Sequence, residues 1–184
     1  DQQTMLRKSF ALDTLLVRTW VRMLSRVTAL PIFVMHDANL NLSSVFEPDL
    51  SARIVPWPVE MPIVEPRGPL RWYRHQFTKM HAWALPCQAA AYLDYDGFAL
   101  QPMDSIFRSC GAAEFCAAAD WVTPMKNAHR GKRFNGGVLV LRPNATTHAW
   151  LLRAAAVEAQ ARRARFYYAE QGALNSLFEG RWRR

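Results

Sequence analysis

The segment Ala89-Ala90-Ala91-Tyr92-Leu93-Asp94-Tyr95-Asp96-Gly97 decides the fold. Residues 89–93 form a short apolar run of the length expected for a buried strand. It runs straight into two carboxylates at i and i+2, followed by a glycine. In open α/β sheets, ligands bind beyond the carboxyl ends of the strands. Asp94 and Asp96 therefore stand where a ligand is expected. Two neighbouring carboxylates repel each other unless a cation shares them. Hard divalent ions such as Mg²⁺ and Mn²⁺ take oxygen ligands and bridge to substrate phosphates. On the tripeptide alone, a solvated turn with two ordinary carboxylates is the commoner arrangement.

Outward from this segment, strands and helices alternate. Residues 70–85 have helical character, with Leu70, Phe77, Met80, Trp83 and Ala84 as apolar positions, and Pro86 closes the helix. Before it, residues 56–69 hold five of the eleven prolines and predict an irregular loop, long enough to act as a lid. Residues 52–55 and 32–35 read as strands, and His36-Asp37-Ala38-Asn39 as a loop. Leu12, Leu15, Leu16, Trp20, Met23, Leu24 and Val27 give an amphipathic helix over 10–27. Downstream, 98–100 predicts a second short strand, 103–107 a helical turn, 112–119 a strand and 120–133 a polar loop. Val138-Leu139-Val140-Leu141 is a strand introduced by Phe134-Asn135-Gly136-Gly137, and helices follow over 146–163 and 170–178. This alternation predicts an α/β protein in one domain over 1–184.

The 184 residues are 51% hydrophobic and 21% charged, enough for a core with a water-compatible surface. No run approaches the roughly 18 apolar residues of a membrane span. The opening Asp1-Gln2-Gln3-Thr4 is polar and lacks an initiator Met, so the sequence reads as a piece of something longer. A net charge of +8 implies anionic partners: nucleic acid, lipid head groups or phosphorylated small molecules. Zinc-finger spacing, an RNA-binding aromatic signature and a basic zipper are absent, so nucleic acid is not an expected partner. Three cysteines, Cys87, Cys110 and Cys116, without a CxxC pair argue against a disulfide framework or a zinc site and predict buried thiols.

Three ordered blocks carry a family resemblance. The first joins Phe77-Thr78-Lys79-Met80-His81-Ala82-Trp83-Ala84-Leu85, the Asp94-Tyr95-Asp96 turn and Gly97-Phe98-Ala99-Leu100-Gln101-Pro102-Met103-Asp104-Ser105-Ile106-Phe107. The second is Phe134-Asn135-Gly136-Gly137-Val138-Leu139-Val140-Leu141-Arg142-Pro143, and the third Glu170-Gln171-Gly172-Ala173-Leu174-Asn175. Together they resemble glycosyltransferase family 8, the glycogenin-like nucleotide-sugar transferases, over about residues 10–182. This chain departs from the family pattern at Tyr95, where a small residue is usual, at Ser105-Ile106, and at Glu170, where Asp is usual. Residues 1–9 do not resemble the family's first strand, and no histidine stands in the family's C-terminal His-x-x-Gly-x-x-Lys context that supplies a third metal ligand.

The resemblance implies a GT-A fold, a Rossmann-like mixed sheet flanked by helices. It also implies a retaining hexosyltransferase that uses a UDP-sugar donor. Asp94 and Asp96 would hold Mn²⁺ or Mg²⁺ against the diphosphate, with Tyr95 in the same nucleotide-binding turn. Lys79, and upstream Arg71, would serve the phosphates. Asn135 would offer amide groups to sugar or ribose, while Glu170 and Gln171 orient the transferred sugar. Gly136 and Gly137 would let backbone approach a ligand closely or permit a bulge before the strand. A non-catalytic, UDP-sugar-binding descendant is the alternative. A glycan, protein or lipid is the expected acceptor, a homodimer the assembly considered, and the cytoplasm or the Golgi lumen the compartment.

Overall fold

The computed structural model describes residues 2–42, 45–46, 48–60, 68–120, 133–160 and 169–184; the side chains of 2–13, 68–74, 158–160 and 169 lie outside the description. Two compact units emerge: residues 1–59 with 94–105, and residues 60–93 with 106–184.

The first unit is a helix and a parallel strand pair. Helix α1, Gln2–Val27, begins earlier than its apolar periodicity indicates. Trp20, Val21 and Leu24 are its buried positions. Its end is capped from a distance. The Arg53 guanidinium donates to the carbonyls of Ser25 at 2.6 Å and Thr28 at 2.5 Å, a cation meeting the unpaired carbonyls of a helix terminus. Strand β1, Ile32–Asp37, runs parallel to β2, Ile54–Val59, with Ile32 opposite Ile54 and Asp37 opposite Val59. The short helix α2, Pro48–Ser51, lies on the connection and buries Leu50.

The expected loop beginning at Pro56 is corrected here, because Pro56 and Pro58 stand inside β2. Ile32 N–H bonds to the Arg53 carbonyl and Ala38 N–H to the Val59 carbonyl. Odd positions from 53 to 59 thus face β1, and even positions face away. The two prolines put their missing N–H groups on the side where this sheet needs no donor.

The second unit has a three-stranded antiparallel sheet in the order β3-β5-β4: β3 is Ala90–Leu93, β4 Phe115–Ala119 and β5 Phe134–Leu141. The predicted helix at 70–85 exists but is wound as a 3₁₀ helix, Gly68–Ala84, an unusual length for that tighter turn. Helix α3, Ile106–Cys110, precedes β4, while α4, Ala145–Gln160, and α5, Ala169–Leu177, follow β5. Phe77, Met80 and Trp83 from the 3₁₀ helix, Phe115 from β4, Phe134, Leu139 and Leu141 from β5, and Leu151, Leu174 and Phe178 are all buried. Aromatic rings dominate this core, with Phe115–Phe178 centroids 4.7 Å apart, Phe115–Phe134 5.0 Å and Trp83–Phe178 5.6 Å.

Two further expectations are corrected. Residues 98–100 do not form a strand: Phe98 and Leu100 are exposed, and Ala99 N–H contacts the Met23 sulfur at 2.7 Å instead of a sheet partner. Cys110 and Cys116 are not free thiols but a disulfide, with Cα atoms 5.8 Å apart. The chain reverses between α3 and β4 through Gly111 at φ 58°, which brings the two sulfurs together six residues apart in sequence. Cysteine counting could not foresee that reversal. Cys87 stays free, and burial raises its thiol pKa.

Candidate functional site

In the second unit, the predicted residues of the 3₁₀ helix, β5 and α5 converge. Lys79 Nζ lies 2.7 Å from Glu170 Oε1 and donates to the Gly136 carbonyl at 3.0 Å. The ammonium also sits over the Tyr92 ring, 5.3 Å from its centroid. Lys79 is thus an internal cation, only 3% exposed. Amphipathic periodicity gave no sign of this, because a lysine on a helix is usually solvated.

Gln171, next to Glu170, is held at both ends of its amide. Gly136 N–H donates to Gln171 Oε1 at 2.8 Å, and Gln171 Nε2 donates to Asp120 Oδ2 at 3.1 Å. One helical turn further on, Asn175 clamps the start of β5. It accepts from Phe134 N–H at 2.8 Å and donates to the Phe134 carbonyl at 2.8 Å and the Gln171 carbonyl at 2.9 Å. Glu170 Oε2 is buried without a hydrogen-bond partner among the described residues. A buried acceptor left in that state costs about 1–3 kcal/mol unless something completes it.

The glycine pair lies where β5 and β4 slip in register. Ala117 faces Leu139 and Ala119 faces Phe134, so two β4 steps (119 − 117) span five β5 steps (139 − 134). Asn135 to Val138 thus stand against the single residue Ala118, a surplus of three that makes a local bulge of β5. Asn135 Oδ1 accepts from Gly137 N–H at 2.8 Å, folding its side chain back on the bulge. At Gly136 a Cβ would lie 3.4 Å from the Gln171 Cβ and 3.5 Å from Lys79 Nζ, ordinary contact distances, so both side chains pack directly against this position.

The Asp94–Asp96 turn belongs to the first unit. Gly97 N–H donates to the Asp94 carbonyl at 3.0 Å and closes the turn. Asp94 is half-buried, Asp96 exposed and Tyr95 46% exposed. The segment that follows is tied down by Met103 N–H to the Val27 carbonyl at 3.1 Å and by the Thr28 hydroxyl on the Asp104 carboxylate. Two carboxylates on one turn have the donor chemistry of a hard-cation site. Among the described residues, no group of three His, Cys, Asp or Glu side chains is placed to hold a metal. The pair thus fits a divalent cation as a partial ligand set. The side chain of Arg71 lies outside the described residues.

Sequence reasoning missed Asp120 and passed over Asn175. Asp120 carries the same signal as Asp94, an acidic residue ending an apolar strand, but no second carboxylate beside it drew attention. Asn175 is four residues after Gln171 on α5, which places the two on one helical face.

No family model matches the chain. It is 35% identical to glycogenin-2 of Homo sapiens over 102 residues, a stretch covering 55% of this chain and 17% of that protein. It superposes on the crystal structure of the galactosyltransferase LgtC, solved in complex with donor and acceptor sugar analogues. There the TM-score is 0.68 and the identity 17%, covering 92% of this chain and 67% of that one. The chain has the GT-A fold of that galactosyltransferase and is similar to glycogenin-2 over about half of its own length.

Proposed function

We propose that this chain is the donor-binding part of a retaining, metal-dependent glycosyltransferase that moves a hexose from a UDP-sugar to a glycan, protein or lipid acceptor. The convergence of Lys79, Gly136, Glu170 and Gln171 carries the reading, above all the buried Glu170 Oε2 that no group among the described residues completes. A sugar hydroxyl donating to that oxygen would satisfy it. Gln171 has a second N–H beyond the one given to Asp120, so acceptor and donor stand side by side on the first turn of α5. That combination suits a polyhydroxylated ring.

Asp94 and Asp96 would hold Mn²⁺ or Mg²⁺, hard cations that favour carboxylate oxygens. When bound, such an ion neutralises the charge that develops on the departing UDP. Tyr95 offers an exposed ring beside the nucleotide. Lys79 acts from inside, fixing the Glu170 carboxylate and the Gly136 carbonyl in position, and Asn135 and Arg71 complete the donor contacts. The cytoplasm or the Golgi lumen fits this activity, and among the described residues no helix is long and apolar enough to cross a membrane. A homodimer is the assembly we associate with it.

The test is transfer or release of glucose from UDP-glucose by the full-length protein, with Mn²⁺ and with chelator. Activity that needs Mn²⁺ and vanishes in Asp96→Ala is expected. Turnover unaffected by chelation would overturn the mechanism. A second reading is a non-catalytic UDP-sugar-binding protein. It is favoured by the departures from the family pattern at Tyr95 and Glu170. UDP binding by calorimetry with no turnover would select it.

A further inference from the structure

We propose that His81 and His148 form a binding site for a borderline transition-metal ion of the zinc class, which joins the 3₁₀ helix to α4. The site uses none of the residues assigned to the donor site and does not depend on the role proposed above. His81 Nδ1 and His148 Nε2 face each other at 3.1 Å, with ring centroids 5.2 Å apart. Two imidazole nitrogens on one tetrahedral zinc, each at about 2.0–2.1 Å, lie roughly 3.3 Å from each other. The pair already holds nearly that spacing.

The outer face of His81 selects the tautomer. His81 Nε2 faces the Glu60 carbonyl at 3.4 Å. A carbonyl can only accept, so the ring proton belongs on Nε2 and the Nδ1 lone pair points at His148. A backbone carbonyl in this position is the usual second partner of a metal-bound histidine, setting both tautomer and ring orientation. Without metal, His148 donates its Nε2 proton to that lone pair. On binding, the proton moves to His148 Nδ1 through solvent, and two lone pairs converge on the ion. No net proton is released.

The scaffold is already set. Asn144 caps α4, its side-chain oxygen accepting from Thr147 N–H at 3.0 Å. Asn144 N–H in turn donates to the Trp83 carbonyl at 3.0 Å, two residues beyond His81. His148 sits one turn into that anchored helix, so the backbone carrying both ligands is held and only the rings need turn toward a shared ion. Burial lowers the pKa of both imidazoles, which favours the neutral, ligating form near neutral pH. Imidazole ligands suit Zn²⁺, Ni²⁺ and Cu²⁺ and discriminate against Mg²⁺. Two protein ligands leave open positions for water.

The experiment is zinc chloride titration of tag-free protein, read by calorimetry and by thermal unfolding. Excess Mg²⁺ is included to occupy the Asp94–Asp96 turn. A single zinc site and a rise in Tm are expected in the wild type. His148→Gln and His81→Gln should each weaken zinc binding by about tenfold or more. Glu60→Gln should weaken it far less than either histidine variant, since the carbonyl that faces His81 is kept. No zinc binding, or equal zinc binding in both histidine variants, would reduce the contact to an ordinary hydrogen bond and overturn the proposal. Co²⁺ provides a second readout, because a tetrahedral site gives a visible absorption band that His148→Gln should remove.

Discussion

Lys79 Nζ and Glu170 Oε1 lie 2.7 Å apart with almost no exposure to water, and the same ammonium holds the Gly136 carbonyl. The 3₁₀ helix, β5 and α5 thus meet on one charged atom in an otherwise aromatic core. Bringing two ions out of water costs several kcal/mol per ion, which their mutual attraction offsets only while both are present.

Removing one partner should therefore be worse than removing both. Lys79→Met is expected to destabilise the protein by about 3–5 kcal/mol, since Glu170 is left buried and uncompensated. Lys79→Met combined with Glu170→Gln should recover much of that loss. Denaturant unfolding of the singles and the double measures the coupling. A double variant as unstable as the sum of its parts would show that the pair is not a unit.

Asn175 makes a second, sharper case. Its amide satisfies both the N–H and the carbonyl of Phe134, a residue with no exposed surface. Asn175→Ala orphans both groups at a cost of about 1–3 kcal/mol each. The expected midpoint shift in denaturant corresponds to at least about 2 kcal/mol. A smaller shift would mean that water reaches the start of β5.

The Cys110–Cys116 bridge closes a short loop, and chain-entropy arithmetic for a loop of that size gives about 2 kcal/mol. Cys110→Ser with Cys116→Ser should lower stability by about that amount, and reductant should do the same to the wild type only. Cys87→Ser should change little. Thiol titration of the denatured, unreduced protein should find one reactive cysteine of the three, Cys87; three would refute the bridge.

Much of this architecture was legible in the sequence, and the gaps have identifiable causes. The Asp94 turn, β5 and α5 announced themselves because apolar periodicity and a distinctive local block coincided. Pro56 and Pro58 misled because a proline is a breaker only where its N–H is needed, and an edge position removes that need. Phe98 and Leu100 misled in the opposite sense: apolar and alternating, they stay exposed. The Gln171–Asp120 bond and the His81–His148 contact join residues 51 and 67 positions apart, and no local pattern encodes such separations.

The His81–His148 contact also predicts a pH dependence. Burial lowers both pKa values from the ordinary 6.5; the Glu60 carbonyl and charge partly offset this for His81, and the charge of His81 adds to it for His148. Between those lowered values and 6.5 the unfolded chain binds more protons than the folded one. The stability the neutral pair contributes is thus complete above about pH 6.5 and is lost as pH falls through the folded values. With chelator present, Tm should decline on acidification over that window. In His81→Gln with His148→Gln the decline should be shallower, because glutamine does not titrate. An equally steep decline in the double variant would assign the acid sensitivity to the carboxylates instead, since their titration is common to both proteins.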